Sequence, residues 1–227
     1  MRLSYQASSF SSAISLDDEV LALYQFLRNK RNVVVITGAG VSTASGIPDY
    51  RGVNGSYRKG HKPMVHSEFM QHDTSRQRYW SRSMKGFRFL GGAEPNDSHR
   101  AIRQLQQRGV IKHVITQNVD GLHTKAGTEG VLNIHGRIDE VKCMTCQTVT
   151  CRHAFQTELE AHNPAFVATT ALPRTEAMDP SSSFPPASNR NSDSNSDSDL
   201  SDSVRADGDL ELDPSVDISQ VTWQLDG

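Results

Sequence analysis

The apolar positions fall into distinct patterns, and each pattern predicts a different element. Val20, Leu23, Tyr24 and Leu27 recur at i, i+3, i+4 and i+7 behind Ser15 and Asp18, which have capping-box spacing, so an amphipathic helix is expected first. Val33 to Ile36 is an uninterrupted β-branched run, the pattern of a strand buried on both faces of a parallel sheet. Between Asn96 and Arg108, polar capping candidates precede Ala101, Ile102 and Leu105 on one helical face, and Gly109 follows as the C-terminal glycine. Short strands are expected at His113 to Thr116 and at Leu132 to Ile134, and a further helix begins at His153 with Phe155 and Leu159 on one side. Strands alternating with helices in this way predict an α/β fold.

Charge divides the chain unevenly. Only Arg190 and Arg205 are basic after residue 175, against twelve acids, whereas basic residues predominate before it. Residues 176–227, and above all the serine- and aspartate-rich text from Pro180 to Asp213, cannot bury enough apolar surface to offset chain entropy and are expected to be mostly disordered. Residues 1–15 are rich in serine with a single basic residue, which suits either a short organellar leader or plain disorder. No run approaches the ~18 apolar residues of a membrane span, so a soluble chain is expected. Three cysteines, two of them in a Cys-x-x-Cys, point to metal chemistry in a reducing compartment rather than to a disulfide framework.

Several polar groups stand where ligands bind. Gly38, Ala39 and Gly40 follow the first strand without side chains in the way, allowing positive φ and close approach of backbone N–H groups to a pyrophosphate. On those glycines alone, an ordinary tight turn serves equally well, because Thr43 occupies the place of the third glycine of G-x-G-x-x-G. Pro48 introduces Asp49, Tyr50 and Arg51, an acid, an aromatic ring and a guanidinium on one loop. Gln117, Asn118, Val119 and Asp120 lie just past the carboxyl end of a strand, where open α/β sheets bind ligands, although the same cluster would also cap a helix. Cys143 and Cys146 form half of a zinc ribbon, and Cys151 with His153 is a cramped local substitute for the other half. Arg76, Arg78, Arg82, Lys85 and Arg88 interleave with Tyr79, Trp80, Phe87 and Phe89. With no recognised nucleic-acid motif beside them, a solvated helix face is preferred over nucleic-acid binding.

Three stretches in order carry a resemblance to a known family. GAGVSTASGIPDYR, from Gly38 to Arg51, is similar to the first signature of the sirtuins, the NAD-dependent protein deacylases. TQNVDGLH, from Thr116 to His123, resembles the second signature, and His135-Gly136 resembles the catalytic His-Gly. The resemblance runs from about Leu16 to Pro164, and RQRYW at Arg76 to Trp80 resembles the class that includes the mitochondrial lipoamidase and ADP-ribosyltransferase sirtuin and its plant counterparts.

It implies an incomplete Rossmann-like parallel sheet over residues 16–142, a helical module at about 53–92 and half of a zinc ribbon over 143–175. It further implies NAD as co-substrate, a structural zinc held by Cys143 and Cys146, an acylated-lysine protein as partner and a mitochondrial matrix location, with cytoplasm or nucleus as the alternative. In this reading an acyl-lysine oxygen attacks C1′ as nicotinamide leaves, and His135 is the base that then removes a proton from the ribose hydroxyl network so that the alkylimidate can rearrange. Gly38, Ala39, Gly40, Ser42, Asp49 and Arg51 hold the dinucleotide. Tyr50, where most sirtuins carry Phe, screens the reactive ribose, while Gln117, Asn118, Val119 and Asp120 position ribose and nicotinamide. ADP-ribosyl transfer to protein is the neighbouring outcome. A second Cys-x-x-Cys and the later adenosine-side loop do not follow, so a C-terminally truncated member with weak NAD affinity is expected. The competing expectation is a catalytically inactive truncated form acting at most as a weak NAD- or partner-binding protein.

Overall fold

A computed structural model of the chain describes residues 16–53, 55–170, 212 and 215–223. The leader of residues 1–15 and most of the acidic stretch lie outside them. Helix α1 (Leu16–Leu27) carries Asp17, Asp18 and Glu19 in its first turn, where carboxylates suit the helix dipole. Three parallel strands follow along the chain, β1 (Val33–Thr37), β2 (Ile111–Thr116) and β3 (Val131–Asn133), in the spatial order β1-β2-β3. Thr37 pairs with Thr116 and Thr116 with Asn133, so the three carboxyl ends come out level. The level edge puts the segments that follow the strands side by side.

Between β1 and β2 lie a 3₁₀ turn (Ala39–Ser45), the helices α2 (His66–Gln71) and α3 (Asp73–Gly92), which form the expected helical module, and α4 (Asp97–Gln107). Asn96 caps α4, its side-chain oxygen accepting from the backbone of Ser98 and His99 while His99 Nδ1 accepts from the Asn96 amide. Gly109 takes the expected left-handed conformation behind it. His99, not Ala101, occupies the buried face, because the ring is turned back over the cap, and Ala101 is exposed. A short helix α5 (Leu122–Lys125) separates β2 from β3.

Two apolar clusters hold these pieces. Ile47, Leu90, Ala93 and Leu122 pack together with Ile138 against them, pinning the segments after β1 and β2 to the end of α3. The second joins Met84, Leu159, Phe166 and Val221, from α3, α6 (Arg152–His162), α7 (Pro164–Thr169) and residues 215–223.

Two expectations are corrected here. β1 is not buried on both faces: Val34 is 48% and Ile36 66% exposed, and Leu132 and Ile134 stand equally open on the same side. Among the described residues nothing covers that side of the sheet, and the apolar face of α1 (Val20, Leu23, Tyr24) is likewise exposed. The alternation of Val221, Trp223 and Leu225 along the sequence is that of the beginning of a ribbon strand, but Val221 and Trp223 lie in no strand. Their segment crosses α3 and α6 as a strap, with Gln77 donating to the carbonyls of Ser219 and Val221 and Asn163 making paired 2.8 Å bonds to the backbone of Thr222. The end of the 176–227 stretch, at Leu212 and 215–223, is therefore packed, because it carries the apolar residues that the acidic part lacks.

Candidate functional site

The carboxyl edge of the sheet gathers the predicted residues through one hydrogen-bonded network. Asn118 Nδ2 donates to the Gly38 carbonyl at 3.2 Å and to Ser42 Oγ at 3.0 Å, tying the loop after β2 to the turn after β1. Ser42, fully buried, donates in turn to Asp120 Oδ2 at 2.6 Å. The other oxygen of Asp120 accepts from the Leu122 amide, so Asp120 both holds the first amide of α5 and anchors Ser42. Gln117 continues the ladder by donating its amide to the Thr37 carbonyl, and Val119 is held through its carbonyl by the Ile138 amide.

Gly38 is extended, and neither it nor Gly40 has positive φ. The left-handed glycine is Gly46, which closes the 3₁₀ turn that begins at Ala39. The expected use of positive φ at the cradle is thus corrected. What Gly40 provides is open space, since a Cβ there would meet nothing within 4 Å.

His135 sits past β3, exposed, with Nδ1 3.0 Å from the Gln117 carbonyl. A carbonyl only accepts, so in the neutral ring the proton is on Nδ1 and the Nε2 lone pair is free. That is the protonation state a general base needs. Gly136 then turns the chain with φ 90°.

Asp49, Tyr50 and Arg51 form a second, self-contained unit. Asp49 Oδ1 accepts from the Gly52 amide, and the carbonyls of Asp49 and Tyr50 accept from the amides of Ser56 and Tyr57. The Tyr50 and Tyr57 rings lie 5.2 Å apart, and the Arg51 guanidinium stands 5.6 Å over Tyr57. A Cβ at Gly55 would come within 2.6 Å of the Tyr50–Arg51 backbone, so glycine is required for this loop to close.

Cys143 and Cys146 lie on the knuckle between the antiparallel strands β4 (Glu140–Lys142) and β5 (Val149–Cys151). The Thr148 hydroxyl 3.2 Å away, with the Thr148 backbone and Cys143 adding to it, pulls the Cys146 thiol down to about 7. Two exposed thiols, one readily ionised, fit half of a tetrahedral zinc site. Cys151 and His153 are not brought together with them as a ligand set among the described residues. The His153 ring packs on Phe87 at 4.9 Å, and among the described residues no three metal-ligating groups come together. Arg152, between them, is buried with its guanidinium 4.2 Å from the Phe87 ring centre, and burial lowers its pKa to about 10.

Sequence reasoning missed the buried layer beneath the network. Thr37 Oγ1 donates to Thr116 Oγ1 at 2.9 Å and lies 2.9 Å from His123 Nε2, and the His123 and His99 rings meet at 4.8 Å. Burial first, and the neighbouring His123 second, push His99 down to about 4, and burial lowers His123 as well. Thr116 and His123 stood inside the second signature with no role attached, and the Asn96-x-x-His99 spacing was the available signal for His99. Tyr57 was missed too.

Comparison with known proteins bears on this geometry. Residues 38–180 match the model of the Sir2 family. The chain is 42% identical over 170 residues to the NAD-dependent protein deacylase SIR4 of Monosiga brevicollis, covering 75% of this chain and 54% of that protein. It is 37% identical over 196 residues to the NAD-dependent protein deacylase SRT2 of Arabidopsis thaliana, covering 86% and 48%. A solved structure of a Sir2 variant with deacetylated p53 peptide and 3′-O-acetyl ADP-ribose superposes with a TM-score of 0.53 at 32% identity, over 63% of this chain and 57% of that one. The chain thus spans about half the length of the curated relatives it matches. With the family model matching well over half of its residues, the chain belongs to the Sir2 family.

Proposed function

We propose that the protein is an NAD-dependent protein-lysine deacylase, with His135 as its base. The observation that carries the reading is the Gln117 carbonyl on His135 Nδ1, which leaves Nε2 as the free lone pair at the edge where Asn118, Ser42 and Asp120 converge. NAD, when bound, supplies a C1′ carbon from which nicotinamide can depart. Gly38, Ala39, Gly40 and Ser42 would hold its phosphates, Asp49 and Arg51 its remaining polar groups, and Asn118, Val119 and Asp120 its nicotinamide ribose. Tyr50, braced by Tyr57, would screen the reactive ribose from the departing nicotinamide. His135 would take a proton from a ribose hydroxyl through Nε2 while Gln117 fixes the ring. Cys143 and Cys146 would hold a structural zinc. The similarity to the deacylases SIR4 and SRT2 supports acyl groups beyond acetyl, and the resemblance of Arg76 to Trp80 to the mitochondrial class supports that setting.

Nicotinamide release from NAD, measured with and without acetyl-, lipoyl- and longer acyl-lysine peptides, tests the proposal. Peptide-dependent release is expected from the wild-type chain and not from His135→Ala, which should still bind NAD. Undiminished release in the variant would remove His135 from the mechanism. Release that labels the protein with ADP-ribose, without deacylated peptide, would favour ADP-ribosyl transfer instead.

A further inference from the structure

The Thr37 hydroxyl under the site has its hydrogen committed in a way that bears on the proton position of its neighbour. Thr37 has one hydroxyl hydrogen and gives it to Thr116 at 2.9 Å. The remaining contact, 2.9 Å between Thr37 Oγ1 and His123 Nε2, is closed by a hydrogen on the imidazole, because the other nitrogen is buried without a partner and would otherwise carry an unpaired N–H. His123 is therefore the Nε2–H tautomer, and its buried Nδ1 has no hydrogen-bond partner. At the far end, Thr116 Oγ1 accepts the backbone N–H of Asn118 at 3.1 Å. His123, Thr37, Thr116 and Asn118 are all buried. The line runs from α5 through β1 and β2 to the residue whose side chain bonds Gly38 and Ser42.

We propose that His123 is a positioning residue for Asn118, acting through the Thr37–Thr116 hydroxyl pair to hold the Asn118 backbone where its carboxamide reaches the ligand side of the sheet. A ring that served only as filling would leave both nitrogens indifferent. Here one nitrogen is an obligatory donor, and a Gln, which places an amide N–H near the Nε2 position, should replace it where an isosteric ring without nitrogen cannot.

The binding arm of the test rests on the reading of Asn118 as a ligand residue, whereas the spectroscopic arms do not. Histidine ¹⁵N spectra of the 227-residue chain should show His123 protonated on Nε2 alone at pH 7.5. His123→Phe and Thr37→Val should each speed exchange of the Asn118 amide and weaken calorimetric NAD binding, both by about tenfold, the scale of one buried hydrogen bond. His123→Gln should restore both. A His123 protonated on Nδ1, or an Asn118 amide unmoved by both interrupting variants, overturns the proposal. If His123→Phe does not fold, Thr37→Val and the wild-type tautomer still decide it. If the wild-type chain binds no NAD, the functional reading fails while tautomer and amide exchange still judge the relay.

Discussion

Acid should unfold this protein through His99. The ring is fully buried, its Nδ1 accepts from the Asn96 amide at 3.3 Å, and its Nε2 has no hydrogen-bond partner. Burial, reinforced by His123 at 4.8 Å, holds its pKa at about 4 against 6.5 for an unperturbed histidine, with Asp120 opposing in part. The folded state thus resists the proton that the unfolded chain accepts. Above pH 6.5 both states are neutral and there is no penalty. As pH falls from 6.5 towards 4 the unfolded state gains protons first, so stability is lost through that window. Each tenfold difference in proton affinity is about 1.36 kcal/mol, so the loss approaches about 3 kcal/mol by pH 4. Urea melts from pH 7.5 to 4.5, followed by the fluorescence of Trp80 and Trp223, should show it. His99→Asn keeps an acceptor for the Asn96 amide and cannot titrate, so its stability should fall less over the same range. His123, whose pKa burial also lowers, remains in both proteins as a common background. Parallel losses in wild type and variant would refute the assignment of the acid sensitivity to His99.

Three further outcomes follow from the packing and the site. Asn163→Ala removes both bonds to Thr222 and one to the Leu159 carbonyl, and should cost about 1–3 kcal/mol while exposing residues 215–223 to limited proteolysis. Leu159→Ala, at a wholly buried position in the same cluster, should cost about 2–5 kcal/mol in denaturant melts. Alkylation at pH 7 should modify Cys146 ahead of Cys143 and Cys151, with zinc slowing it and a moderate chelator restoring the rate. Equal rates at all three thiols would contradict the Thr148 effect.

Much of the strand-to-site geometry was legible in the sequence, because β-branched runs and the polar groups that follow them are local signals. Val33 to Ile36, His113 to Thr116 and the Asn96 cap appear where the pattern put them, and Gln117, Asn118 and Asp120 do lie past a strand end. What was not legible depends on partners distant in sequence. The Thr37–His123 contact spans 86 positions, and neither residue alone indicates it. The strap of residues 215–223 carries an alternation that suits a strand, but its partners are the side chains of Gln77 and Asn163 rather than a neighbouring strand. The β1 pattern predicted two covered faces and the described residues cover one. The run reports what the strand can bury, whereas exposure depends on which elements lie beside it.

The central claim is that the segments after β1, β2 and β3 form one NAD site. Titrating NAD into ¹⁵N-labelled chain tests it most directly. The account predicts weak, saturable shifts concentrated at Gly38 to Ser45, Asp49 to Arg51, Gln117 to Asp120 and His135-Gly136, sparing the β4–β5 hairpin and α6. Shifts centred on the hairpin or on α6, or no saturable shift at any of the four segments, would contradict it.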